Sequence, residues 1–217
     1  VGSNITDENG SFQQIVYNLF FLYFCNVEKM SYIKLSNDQI DKVGNSIIYL
    51  SEKIGELSKT KALKLIYILD ELSIKKSGIP FFNLKYKVWK FGPVSEEIFI
   101  DLSSETTLLK DYIERTSEEG VTVIRPIVDF NDDEFSDNDI DLLDFVIEKF
   151  GDKTAKDLVY YTHRKNSPWH NTAKENSVLE LLEKEEINNT ELLIDMASLI
   201  NHDERKKVVY SDYIESN

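Results

Sequence analysis

The side chains in this sequence best suited to acid–base, nucleophilic or metal chemistry are three histidines, His163, His170 and His202, and one cysteine, Cys25. Imidazole titrates near neutral pH and acts as a general base when a nucleophile or an acid stands beside it. His163 closes the run Tyr160-Tyr161-Thr162-His163. Its nearest upstream carboxylate is Asp157, six residues back, a spacing that does not align two side chains on one helix face. The favoured reading is a half-buried histidine that bonds a backbone carbonyl and closes a helix end, favourably placed by the helix dipole. An enzyme or small-molecule site centred on His163, with Tyr161 or Asp157 assisting, is the alternative. His163 and His170 are separated by a proline-containing turn, not by a metal-ligand spacing, so no metal is expected. Cys25 lies in the apolar run VYNLFFLYFCNV (16–27), an unfavourable setting for a reactive thiolate. There is no phosphate-cradling loop, dinucleotide fingerprint or nucleophile elbow, so no cofactor is expected.

Two further clusters carry aromatic side chains. Trp89-Lys90-Phe91-Gly92-Pro93-Val94 reads as a rigid strand-to-helix corner: aromatics for the core or for a partner, Gly92 for close approach, and Pro93 for the first turn of the next helix. Asn166-Ser167-Pro168-Trp169-His170 reads as a helix start with Pro168 at its first position and an indole that packs inward or anchors a partner.

The elements that must position these clusters follow from periodicity. Residues 36–53 carry apolar side chains at helical spacing behind Ser36 or Asn37 as cap and ahead of Gly55. Residues 58–74 form the strongest helix, with Ala62, Leu65, Ile66, Leu69 and Leu72 on one side. Residues 84–91 alternate as a strand, 108–115 read as a short helix or arm, and 121–128 as a second strand. Ser136 with Asp139 and Thr154 with Asp157 are capping boxes for two later helices. The ends of the chain, 191–200 and 206–214, read as helices or strands. The sum is a mainly helical α+β domain with a small two- or three-stranded antiparallel sheet. The expected organisation is an N-terminal extension at 1–35, one domain at 36–200 and a terminal tail or short element at 201–217. Met30-Ser31 is a plausible native start.

Charge narrows the partner. Lys and Arg number 25 against 39 Asp and Glu, for a net charge of -14. A general nucleic-acid binder needs a cationic face, so nucleic acid is not expected, whereas a basic protein partner is. Between Arg125 and Lys149 there are nine acidic residues and no basic one. An EF-hand counted from Asp129 fails, because Glu134 falls where the turn glycine belongs and Ile140 where the bidentate Glu belongs. The apolar run at 16–27 is too short to span a bilayer and lacks a basic flank, so no membrane segment is expected. One cysteine and no export signal place the chain in the cytoplasm.

Taken in order, the pieces resemble the Panacea domain, the SocA-like antitoxin family. Leu63-Lys64-Leu65-Ile66-Tyr67-Ile68 is similar to its KLLYY helix, Gly78-Ile79-Pro80-Phe81-Phe82 to its G-x-PLF turn, and Trp89 through Val94 to its AWxxGPV corner. Thr154 through Leu158, Thr162-His163 and Pro168-Trp169 are similar to its S-A-x-x-L, TH and PW series. The sequence departs from the pattern at Ile68, where an aromatic is usual, and at Phe82. The resemblance implies a prokaryotic or phage-borne antitoxin that neutralises a toxin by binding it, with no enzymatic activity. Trp89, Phe91, Gly92, Pro93, Tyr160, Thr162, His163, Pro168 and Trp169 are then the family-motif and candidate partner-binding residues. Self-association is left open, and a phage or mobile-element adaptor that binds a host factor is the other reading.

Overall fold

Ser36 starts the first helix of the described residues because its hydroxyl accepts from the Gln39 N–H while the Gln39 side chain returns to the Ser36 N–H. The computed structural model describes residues 35–104, 106–118 and 120–216. The apolar run at 16–27, with Cys25, and the Met30-Ser31 start lie outside the described residues. Helix α1 (Asn37–Ile54) buries Val43, Ile47, Ile48 and Leu50. Strand β1 (Leu57–Ser58) comes next, and Ser58 caps α2 (Lys59–Ser77). Residues 62 through 71 of α2 are buried without interruption, so this helix is enclosed on all sides. Most later elements of the chain pack against it. Each fully buried Leu or Ile there contributes roughly 1.5–3 kcal/mol.

The burial of α2 departs from the expected stripe in one respect. Leu72 is only partly buried, whereas Lys64, Asp70 and Glu71 are fully enclosed. Asp70 explains itself: its carboxylate accepts from the N–H groups of Phe82 (2.7 Å) and Leu84 (3.4 Å) and from the Tyr86 hydroxyl (2.7 Å). It thereby folds the Pro80–Tyr86 turn back onto the helix.

The chain then forms β2 (Lys87–Trp89), β3 (Gly92–Val94) and α3 (Glu96–Asp101). Here two expectations are corrected. The strand at 84–91 alternates in burial as expected, but its ladder is three residues long. Pro93 lies in β3, opposite Val88, and does not start a helix; α3 begins at Glu96. Proline is compatible with a strand that does not need its N–H. Strands β2 and β3 are an antiparallel hairpin turning at Lys90-Phe91, with Trp89 opposite Gly92. On its other side β2 receives the 188–194 segment, through Val88 N–H to Leu192 O (3.0 Å) and Ile194 N–H to Tyr86 O (2.8 Å).

Asp101 binds the N–H groups of Thr107, Leu108 and Leu109 and ties down the turn before β4 (Ile113–Glu118). The expected helix or arm at 108–115 is therefore a turn leading into a strand. Strand β5 (Val121–Pro126) completes a three-stranded antiparallel sheet in the order β1–β5–β4. The capping boxes at Ser136 and Thr154 start α4 (Asp137–Phe150) and α5 (Ala155–Thr162). Ser167 caps α6 (Pro168–Glu175), with Pro168 in its first turn. The described chain ends with α7 (Leu179–Glu183), a 3₁₀ turn at Met196–Ile200 and α8 (Glu204–Ser216). The architecture is α+β: eight α-helices and two small antiparallel sheets among the described residues.

Candidate functional site

Lys64 sits in the middle of α2 with 1% of its surface exposed. A buried ammonium must find acceptors or give up its proton. The Lys64 Nζ donates to the carbonyl of Pro93 at 2.9 Å, and burial pushes its pKa down to about 7. The bond joins the central helix to the hairpin.

Gly92 makes the approach of the hairpin feasible. Its φ of 100° is one that side-chain-bearing residues rarely adopt, and it is the first residue of β3 after the two-residue turn. A Cβ at this position would stand 2.7 Å from Thr162 Oγ1, 3.2 Å from Lys64 Cε and 3.3 Å from His163 Nε2. Hairpin backbone thus lies directly on the end of α5. Thr162 is fully buried there, its hydroxyl donating to Val159 O (2.9 Å) and its carbonyl accepting from Ser167 Oγ (2.8 Å). Ser167 Oγ also receives the His170 N–H, so one hydroxyl joins the end of α5 to the start of α6.

His163 is the residue that ends α5, and its ring stacks on the Trp169 indole at 3.8 Å between centroids and 14° between planes. The Trp169 Nε1–H donates to Trp89 O at 2.9 Å, and the Trp89 ring meets Phe99 edge-on at 4.8 Å. The ring of contacts is then closed: α2 to β3 through Lys64, β3 to α5 through Gly92, α5 to α6 through the His163–Trp169 stack, and α6 back to β2 through the Trp169 hydrogen bond. Motif pieces from three distant stretches of the sequence, around Lys64, at 89–94 and at 162–169, form this one knot.

The electrostatics of the knot correct part of the expectation for His163. It does close the helix end and is half-buried. However, its Nε2 is buried with no hydrogen-bond partner among the described residues, so the expected carbonyl bond is not made there. Burial and the nearby Lys64 charge push its pKa down to about 4. A neutral ring gains no charge stabilisation from a helix dipole. The groups that would have assisted it chemically are occupied elsewhere: Asp157 completes the capping box at the opposite end of α5, and Tyr161 lies under the Arg164 guanidinium at 4.1 Å.

A second polar contact secures the same corner. The Glu71 carboxylate is fully buried and binds both Arg164 and Lys75. Arg164 also donates to Tyr161 O at 2.7 Å, so the turn after α5 is held to α2 independently of the knot. Sequence reasoning missed Lys64, Glu71 and Arg164. The available signal was Lys64 itself, a cation inside the otherwise apolar run Ala62–Leu69.

The remaining candidates lie on the surface or beneath it. Pro168 is buried at the start of α6, whereas Phe91, at the hairpin tip, is 61% exposed and Tyr160 projects from α5 into solvent. Most of the acidic stretch is exposed, first as the loop at 129–136 and then along the outer side of α4. A groove of about 620 Å³ lies between the end of α1 and β5, lined by Glu52, Glu56, Glu114 and Arg125 among others, and contains none of the sequence-predicted site residues. Among the described residues no group of His, Cys, Asp or Glu is arranged to hold a metal ion, and no helix is long and apolar enough to cross a membrane.

An α+β unit whose hairpin is locked onto a central helix, leaving one aromatic outside, is the class of structure these contacts define. The family described as "Antitoxin SocA-like, Panacea domain" matches residues 63–170, and over these residues the chain is similar to that family. The matched span runs from just before Lys64 to His170 and so encloses the whole knot. No curated protein and no solved structure matches the chain.

Proposed function

We propose that this chain is a cytoplasmic antitoxin-like module that neutralises a basic toxin by binding it directly, without nucleic acid or membrane as partner. The observation that carries the reading is the SocA-like family match, whose span, residues 63–170, includes the residues of the knot. Two others support it. The Lys64, Thr162, Ser167 and Trp169 polar groups are used in bonds within the fold, and the net charge of -14 favours encounter with a cationic partner. In this reading Trp89, Gly92, Pro93, Thr162, His163, Pro168 and Trp169 act from beneath the surface, holding it in shape, while Phe91 and Tyr160 face the partner.

The test is co-expression with the product of the adjacent gene. Co-purification as a complex, together with rescue of growth from that product's toxicity, is the expected outcome. Rescue without a complex would exclude neutralisation by binding, and toxicity unrelieved by this chain would exclude the antitoxin role.

A further inference from the structure

We propose that the tip of the β2–β3 hairpin is the toxin contact: Phe91 enters an apolar pocket of the partner while Glu185 and Glu191 meet cationic side chains at its rim. This rests on the toxin-binding reading and names its surface. A single exposed aromatic is ordinary on a protein surface. Phe91 differs in how firmly its backbone is held. The strand before it is fixed by the Trp169 Nε1–H bond to Trp89 O and by the Lys90 N–H bond to Asn188 O (2.8 Å). The strand after it is fixed by the Lys64 bond to Pro93 O and by the seating of Gly92 on Thr162 and His163. An aromatic presented on such a pre-organised backbone loses little entropy on docking, and interface hot spots are enriched in aromatics of this kind.

Charge identifies the occupant. Two lysines flank the tip, and each is tucked under a carboxylate. Lys90 is 18% exposed against 69% for its partner Glu185; Lys87 is 13% exposed against 76% for Glu191. Here the hairpin's cations lie inside, and the carboxylates of the neighbouring 185–191 segment lie outward over them. The Lys90 ammonium lies 4.9 Å from the Phe91 ring centroid and covers part of the ring, leaving the rest to solvent. A surface with an apolar centre and an anionic rim is complementary to an apolar pocket ringed by Lys or Arg. The rival acidic surface is α4, where charge surrounds Phe145. That surface is a regular helix side with no tied-down corner.

The experiment measures affinity and association rate of the full chain for the adjacent gene product, with melting temperatures alongside. Phe91→Ala is expected to weaken binding about 30-fold with no change in melting temperature, because the side chain is outside the core. The double reversal Glu185→Lys with Glu191→Lys is expected to slow association several-fold at low salt and much less at high salt. Asp141→Lys on α4 is expected to stay within about threefold of wild type. Undiminished binding by Phe91→Ala overturns the proposal while leaving toxin binding intact. An equal or larger loss in Asp141→Lys overturns it too, since docking would then not be confined to the tip. An unchanged association rate in the double reversal removes the assignment of a cationic rim. If wild type itself fails to bind, the toxin-binding reading falls and this proposal with it.

Discussion

Helix α4 and the knot around Lys64 both pack on α2, yet they are built from opposite materials. Helix α4 is assembled from neighbours in sequence: its cap, its capping partner and its apolar side, Leu142, Leu143 and Val146, all lie within eleven residues. Its other side carries Asp137, Asp141, Asp144 and Glu148 into water. The knot draws on α2, β2, β3, α5 and α6, and places a lysine and the Nε2 of a histidine out of reach of water. Local construction tolerates change at many positions, because each contact is small and solvent relaxes around it. The knot has no such slack, since each member fixes the position of the next.

The sharpest way to break this contrast is at Gly92. Gly92→Ala demands a φ of 100° from a residue with a Cβ and sets that carbon 2.7 Å from Thr162 Oγ1. Strain and overpacking together are expected to cost about 3 kcal/mol or more, read as a loss of denaturation free energy in urea. A cost under about 1 kcal/mol would show that the hairpin can lift off α5 freely, and would remove the distinction between the two regions.

The second test uses pH. The folded-state pKa of His163, about 4, lies below its ordinary value of 6.5. The folded chain thus takes up this proton less readily than the unfolded chain. Stability from this group is complete above about pH 6.5 and is lost as pH falls toward 4, by at most about 3 kcal/mol. The difference in stability between wild type and His163→Gln, followed by urea titration from about pH 7 to about pH 4, is expected to shrink across that window. A difference that stays constant with pH would mean that the ring is protonated as easily folded as unfolded.

The same contrast decides what the sequence makes legible. The capping boxes at Ser136 and Thr154 are legible because both partners sit three residues apart and need nothing from the rest of the chain, whereas at the first described helix the sequence offers Ser36 or Asn37 and the structure selects Ser36. The α+β class rests on such local signals. Pro93 reads as a helix start because its local preference serves a helix and a strand lacking one N–H equally well; pairing with Val88 decides between them. Residues 108–115 run into a strand because β5 supplies the partner and Asp101 the preceding turn, both remote in sequence. At the site, most residues of the knot stand out in the sequence, but as separate clusters with separate roles. Only the fold puts Lys64 beneath Gly92 and joins them.

At the gentle end of the series, Ser136→Ala removes the hydroxyl that caps α4 and is expected to cost about 1 kcal/mol in urea denaturation. It is expected to leave the pH dependence assigned to His163 unchanged. Loss of that dependence in Ser136→Ala would mean that the two regions are coupled through α2 and do not act as separate constructions.

The hydrogen bond between Trp169 and Trp89 has an optical consequence. These are the only 2 Trp in the chain. All indole emission therefore originates in one small part of the molecule, where one ring stacks on an imidazole and the other meets a phenyl edge. Intrinsic fluorescence in this protein is a local gauge of hairpin seating, not a report on the fold at large. A ligand settling over Phe91 would be visible in that signal without any label, whereas one settling on α4 would leave it dark.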